Sequence, residues 1–105
     1  MTAPTADPLG RALAGAVAGR RQALDDLLMR GSRLPGTRMN DDLAEAFAQA
    51  CRSLGPRADA LAVAMARLSP DEAPGATARE FLPVCGVLAL GARAAADAGV
   101  KARGY

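Results

Sequence analysis

The segment over residues 41–54, DDLAEAFAQACRSL, constrains the fold of this chain more than any other stretch. Its apolar residues recur at steps of three and four, which places them in one stripe along a helix. The members of that stripe are Leu43, Phe47, Ala50, Cys51 and Leu54. Asn40 or Asp41 can cap the start of the helix, and Gly55-Pro56 ends it. The sequence therefore predicts an amphipathic helix over residues 41–54 that covers a core.

Three further helices are predicted, over residues 8–30, 57–68 and 78–98. The last is apolar on nearly every side from Phe81 to Leu90, so we expect it to be the most buried element, with a kink or a loosened first turn at Pro83. Short connections favour antiparallel neighbours. The predicted fold is all-α, with about four helices packed as two antiparallel helical hairpins, either as repeat-like pairs or as a small bundle.

A chain of 105 residues has room for one domain. The predicted organisation is a flexible leader over residues 1–6, a single helical domain over residues 7–99 and a flexible basic tail over residues 100–105. The N-terminus lacks the pattern of a secretory signal, and the longest uncharged apolar run, Phe81 to Ala92, is too short to span a bilayer. We therefore expect a cytoplasmic protein without membrane contact.

The residue composition argues against most catalytic and metal chemistry. There is no histidine, and the two cysteines, Cys51 and Cys85, lie far apart in apolar helical segments, where we expect them to be buried and reduced. The carboxylates Asp71, Glu72 and Glu80 could support acid/base chemistry as an unfavoured enzyme alternative. Glu72 and Glu80, however, occupy capping-box positions. The sequence assigns no catalytic residue, metal ligand or cofactor.

Arginine dominates the positive charge, with thirteen basic and eleven acidic residues giving a formal charge of +2. A balance this mild does not favour nucleic acid as the partner. Three arginines at the end of the first predicted helix and in the connection after it form a possible anion-binding site: Arg30, Arg33 and Arg38. Surface pairing with Asp41, Asp42, Asp71 or Glu72 is the alternative explanation of these arginines.

The function favoured by these observations is a non-catalytic helical module that binds a protein partner or a second copy of itself, with a homodimer as the simplest assembly. The expected interface combines the apolar last helix with the glycine-bearing first helix. Its candidate residues are Phe81, Val84, Val87, Leu88, Gly15 and Gly19. The alternative function is a nucleic-acid or phosphate-binding helical module that uses the arginine-rich N-terminal third, with Arg11, Arg20, Arg21, Arg30, Arg33 and Arg38.

Two segments resemble a known family: LPGTRMNDDLAEAFAQA at residues 34–50 and DEAPGATAREFLPVCGVLALG at residues 71–91. They are similar to the start of bacterial HEAT-repeat proteins, grouped with the DNA-alkylation-repair-like helical repeat proteins. The resemblance implies stacked helix pairs whose concave face binds protein or nucleic acid. This chain departs from the family in having only about two pairs, where a solenoid usually needs three units to bury its faces.

Overall fold

The computed structural model of the chain describes residues 8–34, 38–69, 71–73 and 77–104. All regular structure in these ranges is helical, which confirms the all-α prediction. The α-helices are α1 (Pro8–Val17), α2 (Gln22–Gly31), α3 (Asp41–Leu54), α4 (Asp59–Ala66) and α5 (Phe81–Gly104). Short 3-10 turns, Gly55–Ala58 and Ala78–Glu80, lead into α4 and α5. The predicted leader over residues 1–6 lies outside the described residues.

The predicted helix over residues 8–30 is divided by a tight turn at Gly19, so the prediction of one continuous helix is wrong. Gly19 has a φ of +103°, in the left-handed region. The N–H of Arg20 donates to the carbonyl of Gly15 at 2.8 Å, and the N–H of Gly19 donates to the carbonyl of Ala16 at 3.0 Å. These two bonds form a Schellman motif, which ends α1 by satisfying its last carbonyls. The chain then turns back, and α2 packs against α1.

Two polar side chains, Ser32 and Asn40, join the end of α2 to the start of α3. The hydroxyl of buried Ser32 donates to the carbonyl of Met29 at 2.8 Å. The Nδ2 of Asn40 donates to the carbonyl of Gly31 at 2.9 Å, while its Oδ1 accepts from the N–H of Leu43 at 3.1 Å. Asn40 is therefore the N-cap of α3, one of the two predicted candidates, and it also satisfies a terminal carbonyl of α2.

The core is organised around α5, because α3 and α4 both make their most extensive contacts with that helix. Such packing corresponds to a small bundle. Gly86 permits the closest approach, since a Cβ at this position would lie 2.5 Å from the backbone nitrogen of Ala66 in α4. The largest fully buried apolar side chains are Phe47, Phe81, Leu13, Leu24, Leu28, Met65 and Leu82.

The buried face of α3 is rotated slightly from the predicted stripe. Phe47 and Cys51 are fully buried, as the stripe requires, but Leu43 and Leu54 are only partly covered. The small residues Ala44 and Ala48 take their place in the core. Residues 57–68, predicted as one helix, form the end of the 3-10 turn and α4, which ends at Ala66. The apolar residues of this segment that are at least partly covered include Ala58, Leu61, Ala62, Met65 and Leu68.

The two ends of α5 differ in how well the sequence predicts them. Pro83 is the third residue of α5, where its missing N–H would have no helical partner, and the 3-10 turn Ala78–Glu80 is the loosened start that was predicted. At the other end α5 continues through Gly99 to Gly104, beyond the predicted end at residue 98. One glycine costs about 1 kcal/mol in a helix, and good helix formers follow it here.

Two glycine-to-alanine substitutions in α5 test the close packing of that helix. Gly86→Ala places a Cβ 2.5 Å from the nitrogen of Ala66 and 2.8 Å from the carbonyl of Ala62. We expect it to lower the free energy of unfolding by about 3 kcal/mol, because a helix backbone must move. Gly91→Ala, with nothing within 4 Å, should raise it by about 1 kcal/mol. Urea unfolding of both variants measures the difference, and equal stabilities would contradict the described approach of α4 and α5.

Replacement of Asn40 tests the junction of α2 and α3. Asn40→Ala removes the cap of α3 and leaves the carbonyl of Gly31 without its donor, so we expect a loss of about 2 kcal/mol. Asn40→Asp keeps the acceptor but not the donor and should lose less. The exposed neighbour Asp41 provides the control, since Asp41→Ala removes only a favourable charge at the helix start, worth about 0.5 kcal/mol. If Asn40→Ala costs no more than this control, the junction has no structural role.

Candidate interaction surfaces

An apolar patch lies on the outer face of α5 and is formed by Pro83, Val84, Val87 and Leu88, named here the α5 patch. These side chains line a shallow cavity of about 310 Å³. Val87 is 59% exposed and Leu88 is 40% exposed, and they are the only exposed large hydrophobic side chains in the described part of the chain. Single exposed apolar residues are ordinary on protein surfaces, but a contiguous group is informative.

The face of α5 that carries the patch has no charge. Arg93 is the one charged residue between residues 81 and 96, and its side chain turns inward. The Nε of Arg93 donates to Oδ1 of Asp59 at 2.9 Å, and an Nη2 contact to Oδ2 at 3.5 Å completes a bidentate pair. Beyond the patch the exposed residues of α5 are Gly91, Ala94 and Ala95. The exposed face is thus uncharged over about 18 Å of helix.

Three of the six predicted interface residues, Val84, Val87 and Leu88, lie together in the α5 patch. Phe81 is instead fully buried in the chain's own core, so it is not available at the surface, and that prediction is corrected. Gly15 and Gly19 belong to α1 and to the turn after it, and Gly15 lines a different cavity, between α1 and α2. Among the described residues, the cavity at the α5 patch is lined by α5 and not by the first helix.

The predicted anion site is divided between two places. Arg33 and Arg38 line a cavity of about 270 Å³ together with the carboxylates of Asp41 and Asp42. This proximity favours the alternative explanation, in which these arginines offset the acidic start of α3. Arg30 lines the cavity between α1 and α2 instead. The three arginines thus do not converge on one anion.

A second arginine cluster is created by the turn at Gly19, and it surrounds what we name the α1–α2 groove. The rim of this groove is formed by Arg11, Arg20 and Arg30, and the floor by Ala12, Gly15 and Ala23. The sequence nominates these arginines for nucleic-acid binding but does not group them. The Schellman motif at Gly19, which the glycine-arginine step could have suggested, turns the chain so that Arg20 and Arg30 share a cavity with Arg11 of α1.

A half-buried polar cluster lies elsewhere on α2, where Asp25 faces Arg21 and Arg79. Burial raises the pKa of the Asp25 carboxyl from its ordinary value, and the positive charges of Arg21 and Arg79 act against that rise. The Nε of Arg21 and Oδ1 of Asp25 are buried without hydrogen-bond partners. From helix spacing alone, Arg21 and Asp25 would be expected to form a solvated surface pair. The structure instead places both side chains half-buried.

Glu72, one of the three carboxylates considered for acid/base chemistry, has a structural role. Its Oε1 accepts from the N–H of Ser69 at 3.0 Å, while its own N–H donates to the Ser69 hydroxyl at 3.3 Å. This is the reciprocal capping box predicted from the sequence. Hydrogen bonding to the carboxylate from the backbone N–H of Ser69, and to a lesser extent from its hydroxyl, lowers the pKa of Glu72. A carboxylate stabilised in its charged form is a poor general base near neutral pH.

Both cysteine side chains are fully buried, as the sequence predicts. Neither forms a disulfide. Burial raises the pKa of the Cys51 thiol to about 11, with a further contribution from the charge of Asp59. Burial likewise raises the pKa of the Cys85 thiol to about 12, and Cys51 adds to this effect. Neither thiol is therefore activated for nucleophilic chemistry, which requires a lowered pKa.

Across the described residues no group of three or more cysteine, aspartate and glutamate side chains could hold a metal ion. In the same residues no helix combines the length and the hydropathy that a membrane crossing requires. Comparison with family models, curated proteins and solved structures yields no match to this chain. The resemblance to HEAT-repeat proteins thus stays a prediction.

The buried thiols predict a specific dependence of stability on pH. Unfolded thiols ionise near their ordinary pKa of 9.0, whereas Cys51 and Cys85 stay neutral in the folded protein until about pH 11 and 12. Stability is thus full below pH 9 and falls as pH rises, by about 1 kcal/mol for each thiol between pH 9 and pH 10. Urea unfolding of the wild type and of Cys51→Ala/Cys85→Ala measures this contribution. A pH slope that is equal in both proteins would show that the thiols are not buried.

Proposed function

We propose that this chain is a non-catalytic helical interaction module that associates with a second copy of itself through the α5 patch. The observation that carries the proposal is the adjacent exposure of Val87 and Leu88, at 59% and 40%, on a face of α5 without charge. Contiguous apolar side chains at a surface are typical of sites that bind another protein. The remaining apolar side of α5 is covered by α3 and α4, so these side chains are what is left for a partner.

A second copy of the chain is the occupant that this surface fits best. A patch on a single helix meets its own copy across a two-fold axis, because each half then presents the same residues to the other. Gly91 favours a close crossing, since the space above its Cα is open. An uncharged face also avoids the like-charge repulsion that a charged face meets in its own copy.

The size of the α5 patch determines how strong the association should be. Four side chains on one helix cover much less than the about 800 Å² per partner of a standard interface. Interfaces below this size are weak and reversible. We therefore expect a dimer in rapid exchange with the monomer and a Kd above about 10 µM.

The resemblance noted in the sequence supports an interaction module. The helical repeat proteins that the chain resembles use their helices to bind other macromolecules. The proposal includes a cytoplasmic location, and two buried unpaired cysteines are compatible with a compartment that keeps thiols reduced.

Substitution of Val87 by lysine tests the proposed dimer. Val87→Lys would bring two positive charges together at the two-fold contact, so we expect the variant to stay monomeric from about 10 µM to about 1 mM. Sedimentation equilibrium over this range should show a concentration-dependent mass for the wild type. Lysine is a good helix former and residue 87 is exposed, so stability should change by less than about 0.5 kcal/mol.

Ala46→Lys is the matched control, because Ala46 is an exposed residue of α3 and the variant carries the same added charge. It should associate like the wild type. A wild type that is monomeric throughout the range would overturn the proposal. Equal association of wild type and Val87→Lys would place the interface elsewhere.

A further inference from the structure

The α1–α2 groove owes its existence to the turn that separates the two helices. Because Gly19 adopts a φ of +103° and Arg20 bonds back to the carbonyl of Gly15 at 2.8 Å, the chain reverses within four residues. The reversal brings Arg20 to the same cavity as Arg11 of α1 and Arg30 of α2. These arginines are ten residues or so apart in sequence and would otherwise point in unrelated directions.

The exposed surface inside the groove is mostly apolar, and its apolar lining residues have small side chains or none. The cavity has a volume of about 590 Å³ and is floored by Ala12, Gly15 and Ala23. An adjoining cavity of about 400 Å³ extends this apolar surface to Pro8 and Leu27. With so few side-chain atoms on its floor, the groove admits a helix at the closer end of the usual 8 to 10 Å between helix axes.

The rim of the groove is positively charged. Three arginines and one aspartate, Asp26, line it, so its formal charge is +2. The carboxylate of Asp26 already accepts from the Nε2 of Gln22 at 2.9 Å. The Nε of Arg30 donates to the backbone carbonyl of Asp26 at 3.3 Å, which holds this guanidinium at the groove.

We infer that the α1–α2 groove binds an acidic amphipathic helix of a protein partner. The apolar stripe of such a helix would lie on the floor, and its carboxylates would pair with the guanidinium groups of Arg11, Arg20 and Arg30. An inorganic phosphate would leave the apolar floor unused. Bases of a single-stranded nucleic acid would find no aromatic side chain to stack on among the lining residues.

This surface is distinct from the α5 patch, since the two cavities share no lining residue. The groove therefore supplies a hetero-partner site in addition to the proposed self-association. Either site can be present without the other, and each can be removed separately.

The test uses a fluorescent helical peptide of sixteen residues, with leucine at helical spacing on one face and glutamate on both flanks, measured by fluorescence anisotropy. The variant Arg11→Gln/Arg30→Gln should bind it about three- to tenfold more weakly than the wild type, with two exposed charge pairs lost. The matched control is Arg33→Gln/Arg38→Gln, which removes the same net charge at a cavity shared with Asp41 and Asp42. We expect this control to lose less than about twofold.

Further arms of the experiment separate the other occupants and the other surface. Replacing every glutamate of the peptide by glutamine should abolish most of the binding, and Val87→Gln in the protein should leave it unchanged. The inference is overturned if both double variants weaken binding equally, if the peptide does not bind, or if Val87→Gln alone removes the binding. It is also overturned if a single-stranded oligonucleotide binds more tightly than the peptide and loses affinity in Arg11→Gln/Arg30→Gln.

Discussion

The contact between α4 and α5 at Gly86 is the constraint on which the rest of the structure depends. A side-chain carbon at residue 86 would lie 2.5 Å from the nitrogen of Ala66, so the two helix backbones touch. Short side chains fill a core at normal density only when helices approach this closely. The fully buried Ala62 and Ala89 serve the same close packing. An alanine-rich chain with only two phenylalanines, Phe47 and Phe81, can in this way close a core around α5.

The same packing determines which residues of α5 are left outside. Successive residues of a helix point about 100° apart, so burial of Gly86 and Ala89 turns Val87 to the far side. Phe81, Leu82 and Cys85 fall on the buried side for the same reason. The α5 patch is therefore a geometrical consequence of how α3 and α4 cover this helix. Its apolar character is not required by the fold, which is why we assign it a binding role.

Much of the fold could be predicted from local patterns, and the failures have identifiable causes. The limits of α3, its Asn40 cap and the buried residues of α4 follow from periodicity and capping chemistry. The sequence pattern does not reveal the break at Gly19, because a glycine inside an apolar pattern is compatible both with a weak position within a helix and with a helix end. The continuation of α5 beyond Gly99 shows the opposite error, since that glycine is tolerated in the helix.

The candidate sites were less predictable than the fold, because they depend on how the elements are turned. From Phe81 to Leu90 the sequence is apolar on nearly all sides, so periodicity cannot separate buried Phe81 from exposed Val87. The grouping of arginines depends on a single backbone conformation at Gly19, and one positive φ moves Arg20 and Arg30 to a common cavity. Arg33, itself at a φ of +65°, is directed to the acidic start of α3 instead.

The two proposed interactions would use different physical forces, and this difference bears on how they could work together. The proposed association through the α5 patch would rest on apolar burial, which physiological salt hardly weakens. The proposed binding in the α1–α2 groove would rest largely on exposed guanidinium groups, whose attraction is screened over about 8 Å at physiological ionic strength. Each of the two surfaces is small, so a single contact is weak. A dimer that presents two α1–α2 grooves would bind a partner with two acidic helices more tightly than a monomer does, because the second contact benefits from a high effective concentration. The weakness of the single contacts is thus compatible with selective binding of a bivalent partner.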